Sequence, residues 1–133
     1  MLSLDLAQLL RDAGLRWRPA TGDRFVIPDR DMDDDVFVLS DMTIEVHDLP
    51  EGTVIGFNGT TQWAIDDVEK DEAIWLPRED QLRGLLGRAF HRLERQGDAY
   101  VVVASVEGTE RLFGAGEPEE AYARALLSLL RSL

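Results

Sequence analysis

The stretch Ala99-Tyr100-Val101-Val102-Val103-Ala104-Ser105-Val106 is the most strand-like run in this chain of 133 residues. β-Branched and aromatic residues dominate it, and these residue types favour the extended backbone of a sheet. Gln96-Gly97-Asp98 before it and Glu107-Gly108 after it have the residues of tight turns. The sequence therefore predicts a strand over 99–106 with antiparallel partners over 90–95 and 109–113.

Three amphipathic helices are predicted around this group of strands. The first covers about residues 4–13 and is preceded by Ser3, a residue type that caps helix N-termini. The second covers 77–86. The third begins at Glu117-Pro118-Glu119-Glu120, because acidic residues and proline suit the first turn of a helix.

Four more strand candidates lie in the first half of the chain, and 73–76 is expected to be extended because Pro77 disfavours helix before it. The last two candidates should pair as a hairpin across Leu49-Pro50-Glu51-Gly52, and the second and third should be antiparallel neighbours. The four candidates are 25–27, 36–39, 43–47 and 54–57.

Consecutive strands joined by tight turns are typical of α+β proteins. We therefore predict one α+β domain over residues 1–133. It should contain antiparallel sheet of about seven strands, with an N-terminal, a middle and a C-terminal helix packed on one side.

Negative charge is concentrated in residues 23–80. This segment has seventeen acidic and four basic residues, a balance of −13, whereas the whole chain has a net charge of −12. The densest part is Asp29-Arg30-Asp31-Met32-Asp33-Asp34-Asp35. Such a surface repels nucleic acid and anionic membrane and attracts cations or a basic protein. We therefore expect a basic protein partner and neither a nucleic-acid nor a membrane partner.

The location is expected to be cytoplasmic. The chain has no cysteine, which excludes disulfides, thiolate metal sites and cysteine nucleophiles. The first residues lack the basic and apolar regions of a signal peptide, and no apolar run approaches the roughly 20 residues that span a bilayer.

The acidic loop resembles part of a calcium-binding loop. Asp29, Asp31 and Asp33 alternate as the first ligands of an EF-hand do, but Asp34 occupies the glycine position and Ser40 the final glutamate position. We interpret the loop as a solvated turn between strands, and we predict no metal and no cofactor. Divalent-cation or small-ligand binding through carboxylates is the alternative.

No catalytic residue is assigned. His47, beside Asp48, and His91 have suitable chemistry for metal or acid–base work, but no H-E-x-x-H spacing supports it. The sequence also lacks G-x-S-x-G and nucleotide-phosphate loops. Whether the chain is an enzyme stays open at this point, with the balance towards a non-enzymatic domain.

The aromatic residues indicate a possible binding groove. Trp17, Trp63 and Trp75 lie outside the central strands, and tryptophans either fill cores or mark interfaces. The most distinctive stretches are Phe57-Asn58-Gly59-Thr60-Thr61-Gln62-Trp63 and Ile74-Trp75-Leu76-Pro77-Arg78-Glu79-Asp80. The candidate binding residues are Trp63, Trp75, Arg78, Asp31 and Asp33.

These two stretches, together with Gly22-Asp23-Arg24-Phe25 and Ile27-Pro28-Asp29-Arg30-Asp31, resemble a family of small uncharacterised actinobacterial proteins. The resemblance extends over most of the chain and implies no assigned activity or site residues. Some members carry the label pilus assembly protein, which implies an accessory role in a pilus or secretion assembly. The present chain has no P-loop of the kind found in an assembly ATPase.

The leading interpretation is a non-enzymatic, acidic protein–protein interaction domain. A specific version is an immunity-type or nucleic-acid-mimicking protein that blocks a basic partner by charge complementarity. The sequence does not indicate an oligomeric state.

Overall fold

The computed structural model describes residues 1–28, 35–39, 43–49, 52–58, 68–69 and 73–133, and for the strands between 43 and 69 it describes the backbone alone. The chain divides into two compact units. Unit 1 consists of Met1–Arg16 and Leu76–Leu133, and unit 2 consists of Trp17–Trp75. Unit 2 is therefore an insertion in the sequence of unit 1.

Three helices lie in unit 1. Helix α1 is Leu4–Asp12, and its first turn is capped by Ser3, whose Oγ accepts a hydrogen bond from the Leu6 backbone N–H at 3.3 Å. Helix α2 is Glu79–Leu86 and helix α3 is Pro118–Arg131. All three predicted helices are confirmed. None of the helices in the described part of the chain has the length and apolar character of a membrane span.

The described residues form nine strands in three sheets of three strands each. The strands are β1 Arg24–Val26, β2 Phe37–Val38, β3 Thr43–Leu49, β4 Gly52–Asn58, β5 Val68–Glu69, β6 Ile74–Leu76, β7 Phe90–Gln96, β8 Ala99–Val106 and β9 Thr109–Ala115. The strand orders are β2-β1-β6, β3-β4-β5 and β7-β8-β9. The second and third sheets are antiparallel throughout.

Unit 1 is built on the β7-β8-β9 meander. A two-residue turn joins β8 to β9, and both of its residues have positive φ, 53° at Glu107 and 76° at Gly108. This is the backbone of the type I′ turn, which matches the twist of a hairpin. Helix α3 packs against β8 and β9, and α1 and α2 pack against α3. The core is mainly aliphatic and includes Leu10, Leu82, Val102, Val103, Val106, Ala121, Ala125 and Leu126.

The described side chains of unit 2 form an aromatic core. Trp17, Phe25, Ile27, Leu39 and Ala73 are buried together, and the half-buried rings of Phe37 and Trp75 pack against them. The Phe25 ring lies 5.5 Å from the ring of Trp17 and 5.5 Å from that of Phe37, between centroids. Such aromatic contacts stabilise beyond the area that they bury.

The α+β prediction is confirmed, and so is the hairpin of β3 and β4, which pair from Thr43↔Asn58 to Leu49↔Gly52. The strand count of about seven was wrong. Six strands form the two fully antiparallel sheets, and three short strands form the remaining sheet, β2-β1-β6. The two strands beyond the seven are β5, which has only two residues and shows no alternation, and β6, which lies within the segment 73–76 that was expected to be extended.

The expected pairing of the second and third strands was also wrong. Strand β2 pairs with β1, in the register Arg24↔Val38, and not with β3. Two backbone bonds extend this ladder, from Gly22 N to Leu39 O at 2.8 Å and from Leu39 N to Asp23 O at 2.9 Å. The placement of all helices on one side and the single domain stay predictions.

Candidate functional site

Trp75 lies on β6 and contributes to the aromatic core of unit 2. Its side chain is half-buried, and its indole Nε1 is buried without a hydrogen-bond partner among the described residues. An unpaired buried N–H is costly, since it loses its bond to water. The indole ring nevertheless packs against the core of unit 2. A role of Trp75 in binding stays a prediction.

Arg78 lies at the start of α2. Its backbone N–H donates to Gln81 Oε1 at 2.9 Å, and its Nε donates to Asp80 Oδ1 at 3.2 Å on the exposed surface. These contacts close the first turn of the helix, where four backbone N–H groups lack partners within the helix. Arg78 thus has a structural role in unit 1, whereas Trp75 belongs to unit 2.

The other predicted site residues, Trp63, Asp31 and Asp33, lie outside the described residues, as does most of the acidic loop. The backbone of His47 is described, and it lies opposite Val54 in the β3–β4 hairpin. Within the described ranges, no three histidine or acidic side chains are grouped as metal ligands. The grouping of the five candidate residues into one site therefore stays a prediction.

Sequence reasoning missed a buried carboxylate in unit 2. Asp23 has 2% of its surface exposed, and it is the one buried charged residue among those whose side chains are described. Its Oδ2 accepts a hydrogen bond from Trp17 Nε1 at 2.9 Å and another from Ala20 N at 3.0 Å. These bonds fix the turn that leads into β1. The available signal was an aspartate placed between the turn residues and the first strand.

A second missed arrangement lies on the face of the β7-β8-β9 sheet. His91 Nε2 and Ser105 Oγ are 2.6 Å apart, and His91 Nδ1 is 4.0 Å from Glu110 Oε2. Nearby, Arg92 pairs with Glu94 and lies 3.9 Å from Glu110. A hydroxyl, an imidazole and a carboxylate in this order are the side chains of a nucleophilic triad.

The geometry nevertheless favours a surface polar network. The Nδ1–Oε2 separation exceeds hydrogen-bond length, and 40% of the His91 side chain and 51% of the Glu110 side chain are exposed. Ser105 lies within strand β8, opposite Glu110 of β9, and not at the start of a helix, where free backbone N–H groups could bind a developing oxyanion. We interpret this group as stabilising the sheet face.

Unit 1 also contains an open cavity of about 320 Å³ between the β8–β9 turn, β9 and the C-terminal half of α3. Three arginines line it, Arg111, Arg124 and Arg131, together with two serines and Glu107. Of these three, Arg124 is anchored by its Nη1, which donates to the Gly114 carbonyl at 2.9 Å. The cavity is thus lined by more positive than negative side chains.

Comparison with known proteins gives no relative from which a site could be transferred. No protein-family model matches the chain, and no curated protein or solved structure is significantly similar to it. Its function must therefore follow from its own charges, cavities and contacts.

Proposed function

We propose that this protein is a non-enzymatic, cytoplasmic interaction domain whose unit 2 binds an electropositive surface of a partner protein. The partition of charge between the units carries this proposal. Unit 2 has fifteen acidic and four basic residues, a net charge of −11. Unit 1 has eleven acidic and ten basic residues, a net charge of −1. Nearly all of the net charge of −12 thus belongs to the inserted unit.

Physical chemistry ties this partition to a cationic partner. Fifteen carboxylates within one small unit repel one another, and this repulsion lowers the stability of the folded state. A basic protein surface relieves the repulsion as it binds, so part of the affinity needs no specific contact. The same field accelerates encounter with cationic surfaces and opposes encounter with nucleic acid.

Two kinds of partner fit this proposal. One is a basic protein whose nucleic-acid site is blocked by an acidic mimic. The other is a basic component of a pilus or secretion assembly, which the resemblance of the sequence suggests. Both predict binding that weakens as salt is added, because dissolved ions screen the attraction between exposed charges. At physiological ionic strength, exposed charges more than about 8 Å apart interact little.

The experiment uses the full chain as bait in an extract of its native cells and compares two variants of equal net charge. The first changes Asp29, Asp31, Asp33, Asp34 and Asp35 to Asn. The matched control removes five exposed carboxylates of unit 1 by changing Asp5, Asp12, Asp98, Glu110 and Glu117 to Asn or Gln. Captured proteins are identified and then purified for binding measurements at several salt concentrations.

The proposal requires a basic protein that the wild type and the unit 1 control both bind, and that the unit 2 variant does not bind. The affinity should fall steadily with salt. Equal loss in both variants would mean that only net charge matters. Binding that is insensitive to salt, or no partner at low salt, would refute the proposal.

Small-ligand binding through carboxylates is the second candidate function, favoured by the density of acidic residues over 29–35. With a divalent cation at Asp31 and Asp33, it predicts that Ca²⁺ or Mg²⁺ stabilises the folded chain. Changing Asp31 and Asp33 to Asn should abolish that stabilisation. If these ions act no differently from NaCl of equal ionic strength, the cation version fails.

A further inference from the structure

We propose that the cavity lined by Arg111, Arg124 and Arg131 is a binding site for a small phosphate-bearing anion. The inference concerns unit 1 and does not rest on the function proposed for unit 2. The first observation is an uneven distribution of positive charge in unit 1. Three of its ten basic residues line this one cavity, although the overall charge of the unit is close to zero.

The fold explains how arginines distant in sequence meet. On the sheet, Phe90 lies opposite Ala104, and Ala104 lies opposite Arg111. Directly opposed residues of antiparallel strands share one face. The Phe90 ring contacts Tyr122 of α3 at 5.5 Å between centroids, so this face is the one that α3 covers. Arg111 is therefore directed towards the helix.

Helix α3 supplies the opposite wall of the cavity. Arg124, Ser128 and Arg131 follow one another at intervals of four and three residues, which places them along one face of the helix. The Arg124 guanidinium also bonds to the Gly114 carbonyl of β9, and this contact links the helix wall to the strand wall. The side chain of Leu127, 7% exposed, completes the lining with an apolar surface.

These arginines are not used in ion pairs within the described part of the chain, where none of the three has a carboxylate oxygen within 4.0 Å. One arginine in the last turn of α3 suffices to complement the negative end of the helix dipole, and Arg131 occupies that position. This role does not account for Arg111, which lies on a strand. Glu107 is the one acidic residue of the lining, which leaves a balance of two positive charges.

The arrangement of N–H donors on the guanidinium group favours a phosphate as the ligand. Arginine presents fixed, forked N–H donors that match two oxygens of a phosphate, and such charge-assisted bonds are about twice as strong as neutral ones. Ser128 adds a hydroxyl, whereas the Ser132 hydroxyl already donates to the Leu129 carbonyl at 2.6 Å. The cavity volume leaves room for an organic group attached to the phosphate.

The test titrates the full chain with inorganic phosphate, AMP and adenosine at constant ionic strength. Binding is followed by calorimetry and by the NMR signals of the arginine Nε–H groups. Phosphate and AMP should saturate the site and shift the signals of Arg111, Arg124 and Arg131, whereas adenosine should not bind. Tighter binding of AMP than of phosphate would identify a phosphorylated organic ligand, and equal affinities would identify free phosphate. Both results support the site.

Three variants locate the binding. Arg111→Gln should weaken phosphate binding roughly tenfold, the equivalent of one charge-assisted interaction. Glu107→Gln should strengthen it, because a repelling carboxylate is removed. Arg88→Gln is the matched control, since Arg88 is exposed, lies in unit 1 outside the cavity and carries the same charge. The proposal is overturned if phosphate and AMP do not saturate the protein or if Arg88→Gln weakens binding as much as Arg111→Gln.

Discussion

The two units differ both in their charge and in how their interiors are built. Unit 1 buries aliphatic side chains between α3 and a three-stranded meander, and its charges nearly balance. Among its described side chains, unit 2 packs aromatic rings beside a buried carboxylate, and the unit carries a net charge of −11. The comparison teaches that the regular aliphatic core and most of the negative charge lie in different units of the chain.

The aromatic residues allow each unit to be observed separately. All three tryptophans, Trp17, Trp63 and Trp75, belong to unit 2. Both tyrosines, Tyr100 and Tyr122, belong to unit 1. Tryptophan fluorescence therefore reports on unit 2, and the NMR signals of the tyrosine rings report on unit 1.

The largest effect is expected from Phe25→Ala. Phe25 is 1% exposed and contacts two other rings, so its removal leaves a cavity in the aromatic core. The free energy of unfolding reported by tryptophan fluorescence in denaturant should fall by about 3–5 kcal/mol. Val38→Ala, at a position 60% exposed in the same sheet, should change it by less than about 0.5 kcal/mol. If the tyrosine signals shift equally, the units unfold together.

Asp23→Ala should have the next largest effect. It removes the acceptor of the Trp17 indole and the Ala20 backbone N–H, and the buried indole then lacks its partner. Each buried donor left unsatisfied costs about 1–3 kcal/mol. The free energy of unfolding reported by tryptophan fluorescence should fall by at least this amount. Asp23→Asn should lower it less, because the amide oxygen can still accept a hydrogen bond. An unchanged stability of Asp23→Ala would show that the carboxylate does not hold the turn.

Added salt should affect the stability of the two units differently. Screening weakens repulsion among the carboxylates of unit 2, so NaCl should raise its stability, on the order of 1 kcal/mol or roughly 4–8 °C in the midpoint for a domain of this size. The nearly neutral unit 1 should respond less. Replacing Asp29, Asp31, Asp33, Asp34 and Asp35 by Asn should reduce the salt effect on tryptophan fluorescence. Equal responses of both signals would contradict the comparison.

The smallest effect is expected from alkaline pH on unit 1. Burial raises the pKa of Tyr122, the charge of Glu79 raises it further, and Arg83 opposes this. The unfolded state then loses the tyrosine proton at a lower pH than the folded state. The contribution of Tyr122 to stability is full below the unfolded pKa of about 10 and is lost as pH rises through the folded pKa. Tyr122→Phe should flatten this decline in denaturant titrations, and Tyr100→Phe is the control.

Local signals made much of the fold predictable. The strand over 99–106 was predicted with the bounds that β8 has, because tight turns enclose a run of β-branched residues. Ser3 was recognised as the cap of α1 from its residue type and position. The extended segment containing β6 was predicted from Pro77, whereas the two-residue strand β5 carries no such signal. The pairing of β2 with β1 depends on contacts that propensity does not encode.

The candidate sites were less predictable because their parts are distant in sequence. His91 and Ser105 are fourteen residues apart and meet through the register of β7 and β8. Arg111 reaches the face that α3 covers only because of its pairing with Ala104. One signal was present in the sequence, the helical spacing of Arg124, Ser128 and Arg131. Without the packing of α3 on β9, it indicated only an exposed polar stripe.

The insertion of unit 2 between α1 and the rest of unit 1 also determines an order of events during synthesis. Helix α1 packs against α3, which is synthesised more than 100 residues later. At about 5–20 residues per second, α1 leaves the ribosome on the order of ten seconds before its partner. All of unit 2 is synthesised within that interval. Unit 2 therefore has time to fold before α1 has the helix against which it packs, and during that interval α1 stays accessible to a chaperone.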